Sequence, residues 1–161
     1  MRYLIDGYNL MHALGMAPQP GGLTLERARM RFLDWLAVQA AATAGDTCIV
    51  FDSKNKRGEA EQVYRDLRVQ FSHGQEADDL IEQMIRAETI PARLTVVSND
   101  HRLQHAARRR GCPAWTCSEY IDWLAAPKEK AENELGTAAV EKPPAPSGDE
   151  IDEWLKRFGA K

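Results

Sequence analysis

Residues 3–9 read Tyr-Leu-Ile-Asp-Gly-Tyr-Asn, an apolar run that stops at an acid and a glycine. A short apolar run closed by a turn signal marks a buried strand, and Gly7 supplies the turn. The construction recurs twice: Thr47–Phe51 closes on Asp52, and Leu94–Val97 closes on Ser98-Asn99-Asp100. Helical spacing fills the intervals. Thr24 caps a pattern through Ala28, Phe32, Leu33 and Leu36 that Gly45 should stop. Ala77, Leu80, Ile81, Met84 and Ile85 form a second pattern, and Leu103, Ala106 and Ala107 a third that Gly111 ends. Alternating strand and helix predicts an α/β fold with a central, mainly parallel sheet covered on both faces.

The remaining segments read less sharply. Residues 53–60 are a polar loop, and Leu67, Val69 and Phe71 alternate as a half-buried strand does. Residues 113–117 make a weaker last strand, with Ser118 as cap for a helix carrying Ile121 and Leu124.

A parallel α/β sheet binds ligands beyond the carboxyl ends of its strands, where Asp6, Asp52 and Asp100 fall. Asp78 and Asp79, early in the second helical pattern, join the same edge. Carboxylates gathered there repel by about 3 kcal/mol per pair at roughly 5 Å and an effective dielectric near 20. A divalent cation removes that penalty, and hard oxygen donors suit Mg²⁺ or Mn²⁺. Asn9, three residues after Asp6, can position water or phosphate. The plainer readings are an Asp6 that caps a helix and a pair, Asp78 and Asp79, that complements a helix dipole. Ser98 or Asn99 as cap would leave Asp100 free to face the cleft. Glu76 reads as dipole or capping, and Asp52 equally as ligand or turn acid.

Basic residues follow two of the strand ends: Lys54, Lys56 and Arg57 after Asp52, and Arg102 with residues 108–110 after Asp100. Their first members can rim the cleft and hold a phosphate backbone, while Tyr8 can stack on a base. A solvated surface is the plainer reading of both patches. Zinc on His101, His105, Cys112 and Cys117 is disfavoured, since the cysteines form no C-x-x-C knuckle. The glycine-rich phosphate loops and the G-x-S-x-G elbow are absent.

The chain has 161 residues, 43% of them hydrophobic and 28% charged, which describes one globular domain plus an appendage. Net charge is −3, and residues 1–125 carry 15 Lys and Arg against 16 Asp and Glu, so any affinity for polyanions must be local. Three cysteines and a start that reaches Asp6 after three apolar residues predict a cytoplasmic protein with no membrane segment. The domain is expected over residues 1–125. Residues 126–148, rich in Ala, Glu, Lys and Pro, read as a flexible linker. Residues 149–161 read as a short amphipathic helix with an apolar stripe of Ile151, Trp154, Leu155 and Phe158, which would need a dock on its own chain, a second copy or a partner protein.

YLIDGYNLMHA, VFDSK, EADDLIEQMI and VVSNDHRLQ, in that order, resemble the NYN domains, relatives of PIN-domain nucleases, and in particular their bacterial YacP-like branch. The resemblance spans roughly residues 1–125. It implies a three-layer Rossmann-like PIN/NYN fold, a Mg²⁺ or Mn²⁺ site and endoribonuclease activity. Asp6, Asn9, Asp78, Asp79 and Asp100 match the family's acidic-site positions. Some NYN ribonucleases carry a further aspartate shortly after S-N-D, and Gln104 stands near that place here. YacP-like proteins include a ribosome-associated nuclease acting on messenger RNA.

The expectation is therefore a metal-dependent endoribonuclease in which Asp6, Asp78 and Asp100 hold Mg²⁺ or Mn²⁺ and a metal-activated water attacks single-stranded RNA. Its products would carry 5′-phosphate and 3′-hydroxyl ends, by analogy with the family. The alternative is a catalytically weak RNA- or ribosome-binding module of the same fold. A phosphatase is a third reading, weakened by the missing D-x-D start.

Overall fold

The computed structural model describes residues 2–53 and 59–126. Six strands form one sheet in the order β3-β4-β2-β1-β5-β6. β1 (Arg2–Asp6) is central, paired in parallel with β2 (Thr47–Phe51) on one side and β5 (Leu94–Val97) on the other. β4 (Leu67–Phe71) extends the sheet beyond β2, and β6 (Ala114–Trp115) extends it beyond β5, both in parallel.

Period-two alternation splits the core between the two faces. Tyr3, Ile5, Ile49 and Phe51 meet α1 (Gly7–Ala13), α2 (Leu25–Gln39) and α5 (Cys117–Ala125), in an aromatic-rich layer holding Phe32 and Tyr120. Leu4, Cys48, Val50 and Val96 meet α3 (Ala77–Ala87) and α4 (His101–Arg110) through Ile81, Ile85, Leu103 and Ala107. The expected three layers are present. None of the helices among the described residues is long and apolar enough to cross a membrane.

Gly7 is required by close packing. A Cβ there would lie 2.4 Å from the Phe51 ring and 2.9 Å from Ile49 Cγ2, so α1 can leave β1 at this angle only without a side chain.

Four local expectations need correction. α2 ends at Gln39, and a 3₁₀ segment, Ala41–Asp46, carries the chain past Gly45 into β2. β3 (Glu61–Tyr64) is an additional strand, antiparallel to β4 through a two-residue turn at Arg65 and Asp66, which both take positive φ (45° and 67°). Such a turn usually signals itself with Asn or Gly, and here it does not. α5 starts two residues early, because Thr116 and Glu119 form a reciprocal capping box and displace Ser118 from the cap. Asp100 is itself the cap of α4: its Oδ1 accepts from Arg102 N at 2.7 Å. Residues 127–161, with the expected linker and terminal helix, lie outside the described residues.

Candidate active site at the carboxyl edge of the sheet

β1 leads to α1 and α2 on one face and on to β2. The chain later crosses to the other face through α3 and returns as β5 on the opposite side of β1. The strand order therefore reverses at the β1/β5 boundary, the place where open α/β sheets form their binding crevice.

Asp6 stands at the end of β1, only 4% exposed. It caps α1 by accepting from Asn9 N at 3.2 Å, and its other oxygen accepts from Asn9 Nδ2 at 2.5 Å and Ser98 Oγ at 3.3 Å. The capping role and the site role are thus one arrangement. Burial pushes the Asp6 carboxyl up, the Asn9 and Ser98 bonds oppose that, and the charge of Asp100 adds to it. Ser98 ends β5 and ties the two strand ends together, because its Oγ also accepts from Asp100 N at 3.0 Å.

Asp78, in the first turn of α3, completes the group. Its pKa is pushed up to about 6, first by desolvation and then by the charges of Asp6 and Asp100, with Arg102 pulling the other way. Three carboxylates from three distant segments thus feel one another across this crevice. Among the described residues, no three His, Cys, Asp or Glu side chains stand close enough to grip one ion together. The donor set still suits Mg²⁺ or Mn²⁺, which bind through one or two carboxylates and keep several waters. Asp6, Asp78 and Asp100 are the oxygen donors that would hold such an ion, partly through water, and their negative charge is what it would offset.

The other expected site residues have other partners. Asp79 accepts from Arg102 NH2 at 2.6 Å, and Glu82 accepts from Arg102 Nε at 2.6 Å, so Asp79 and Arg102 satisfy each other between α3 and α4. Tyr8 is half-buried, its ring edge-on to Phe51 and its hydroxyl accepting from Arg29 Nε at 3.0 Å, so it is packed into the domain. Asp52 accepts from Ser72 Oγ at 2.9 Å at the end of β2. Glu76 is exposed at the cap position of α3 without a capping bond. Gln104 is buried and donates to the Ser98 carbonyl at 2.8 Å, bracing the β5–α4 turn. Asn99 serves α5, accepting from Cys117 N at 2.9 Å. Lys54, Lys56 and Arg57 lie outside the described residues.

The zinc constellation does not form. His101 and His105 are exposed on α4, while Cys112 and Cys117 belong to the cores on opposite faces of the sheet. Burial pushes the Cys117 thiol up to about 11, which keeps it protonated.

One residue escaped the sequence reading. Arg29 is 6% exposed, with its guanidinium carbon 5.5–5.6 Å from the ring centres of Tyr8, Phe51 and Phe71. It donates to the Tyr8 hydroxyl and to the Asp52 carbonyl at 3.3 Å, pinning α2 to the ends of β1 and β2. Its signal was an arginine on the apolar stripe of α2, one turn after Leu25 and before Leu33.

The YacP-like NYN domain model matches residues 3–156. The chain belongs to that family. NYN domains are a nuclease-type family related to RNA. Two crystal structures of Rae1 (YacP) from Bacillus subtilis share the NYN fold with this one. One is 24% identical, covers 78% of this chain and 74% of its own, and superposes with a TM-score of 0.61. The other, a single-site variant, is 22% identical over 78% and 76%, also with a TM-score of 0.61. No curated protein matches the sequence.

Proposed function

We propose that this NYN domain is a metal-dependent endoribonuclease acting on single-stranded RNA, with Asp6, Asp78 and Asp100 as its metal-holding acids. The observation that carries the reading is the meeting of Asp6, Asp78 and Asp100 at the strand-order reversal, where burial first and then the charges of Asp6 and Asp100 push the Asp78 carboxyl up. Nothing in a purely structural role calls for it. The chemistry supplied when Mg²⁺ or Mn²⁺ is bound is neutralisation of phosphoryl charge and activation of water.

The protein's own groups do the rest. Asn9 and Ser98 hold Asp6 in one orientation, and Ser98 couples that orientation to the Asp100 turn. Without an ion the Asp78 carboxyl is pushed up to about 6, first by burial, and it would give up its proton on taking the metal. Asp79 orients Arg102, a cation placed beside the crevice where a phosphate would pass. By likeness to the family, the substrate is messenger RNA, with the ribosome as its setting and the cytoplasm as its compartment.

A second reading, an RNA- or ribosome-binding module with little catalysis, draws on Gln104 at the place of a further family acid and on an Asp100 committed to a helix cap. Purified protein is incubated with single-stranded RNA and Mn²⁺ beside its Asp6→Asn and Asp100→Asn versions. Cleavage by the unsubstituted chain alone, leaving 5′-phosphates, is expected. Equal cleavage by all three removes the enzyme reading, and binding without cleavage selects the module.

A further inference from the structure

We propose that the groove between α3 and α4 is a second RNA-contacting surface, which holds the phosphate backbone of the single strand leading to or from the acidic crevice. The groove encloses about 440 Å³. Arg86 lines it from α3, and Arg102, His105, Arg109 and Arg110 line it from α4. Glu82 is the one acid of the lining, and Ile85 and Ala106 complete it. Four guanidinium groups against one carboxylate is a strong local excess in a chain of net charge −3.

The bonding pattern separates a structural share from a free share. Glu82 is shared by Arg86 at 2.7 Å and Arg102 at 2.6 Å, and Arg110 donates to the Glu88 carbonyl at 3.0 Å. Arg109 is exposed and makes no hydrogen bond or ion pair among the described residues. Arg86 is 73% exposed at its side chain and lends one nitrogen to Glu82. Two cations thus remain mainly for an outside anion. Planar guanidinium forks match phosphate oxygens.

Placement names the occupant. Arg102, paired with Asp79 beside Asp78, stands at the crevice end of the groove. Arg109 lies seven residues on, roughly 10 Å further along α4. A strand whose scissile phosphate sits at the acids therefore meets a cationic track running away from them. Backbone contacts of this kind carry affinity without sequence preference. The identity of the ligand rests on the nuclease reading; the presence of a polyanion track does not.

The test is binding in EDTA, where metal-dependent cleavage is shut off, so it stands even if the nuclease reading fails. A labelled oligouridine of roughly 12 nucleotides, within the usual span of single-strand sites, is titrated with full-length protein at several salt concentrations. The double variant Arg86→Gln with Arg109→Gln should bind on the order of tenfold more weakly at low salt. Its log–log salt slope should shrink by about 1.4, the share of two phosphate contacts. Arg31→Gln, on the other face of the sheet, should change neither. Wild-type affinity and slope in a folded double variant overturn the proposal, as does absence of binding by the unsubstituted chain. Tighter binding of a polyglutamate of equal charge, lost in the same variant, overturns RNA as the occupant. A dinucleotide too short to reach the groove should be cleaved equally by both proteins.

Discussion

Asp78 and Asp79 are neighbours in sequence on the first turn of α3, yet they belong to two electrostatic regions. Asp78 turns toward Asp6 and Asp100, where desolvation first and then like charges raise its pKa to about 6. Asp79 turns toward Arg102, which bridges it to Glu82 in a satisfied surface network. The roughly 100° between helical neighbours is enough to send one acid into an acid-rich crevice and the other onto a cation. The acid-rich crevice calls for a cation from outside, whereas Asp79 and Arg102 already neutralise each other. That contrast, more than the number of acids, marks where chemistry belongs.

The largest effect expected is on cleavage. Asp6→Asn should lower the initial rate with Mn²⁺ on the order of 10²- to 10³-fold, while Asp79→Asn should stay within a few-fold. Equal losses would erase the distinction between the two regions. Next in size is metal-linked stability. Mn²⁺ at about 100 times its dissociation constant should stabilise the protein by about 2.7 kcal/mol, a rise in Tm of roughly 5–10 °C. Asp78→Asn should lose most of that rise and Asp79→Asn should keep it.

A smaller effect is the pH dependence without metal. The folded-state pKa of Asp78 is raised from 3.8 to about 6, so the folded protein binds more protons than the unfolded chain between those values. Stability is therefore highest below the unfolded pKa and falls as pH rises through about 6. Asp78→Asn should flatten that fall and leave the metal-free protein slightly more stable at pH 7, as denaturant midpoints at acidic and neutral pH would show. The smallest effect belongs to the satisfied region. Arg102→Gln should lower Tm only a little, and the difference should fade as salt approaches roughly 1 M.

Most of the scaffold was legible. β1, β2 and β5 are short apolar runs ended by acids, and burial on both faces requires that composition. β3 was not legible, because an exposed edge strand can be polar: Glu61 and Val63 face solvent and its turn uses Arg65 and Asp66. Caps were misassigned wherever several capable residues adjoin. Ser98, Asn99 and Asp100 can all cap, and only the path of β5 decides that Asp100 does so while Ser98 reaches Asp6. Arg29 showed only its place on the apolar stripe of α2, since a cation stays buried only if rings and carbonyls from other segments surround it.

Acid placement at strand ends, the alternation of strand and helix and the membership of the NYN family were determined by the order of residues alone, because local patterning and turn chemistry act over a few positions. Which acid is buried, which is neutralised by Arg102, and which arginines share a groove were decided only when α3, α4 and β1 met. Charge is felt through space, and two adjacent aspartates acquire different roles only once folding has chosen their neighbours.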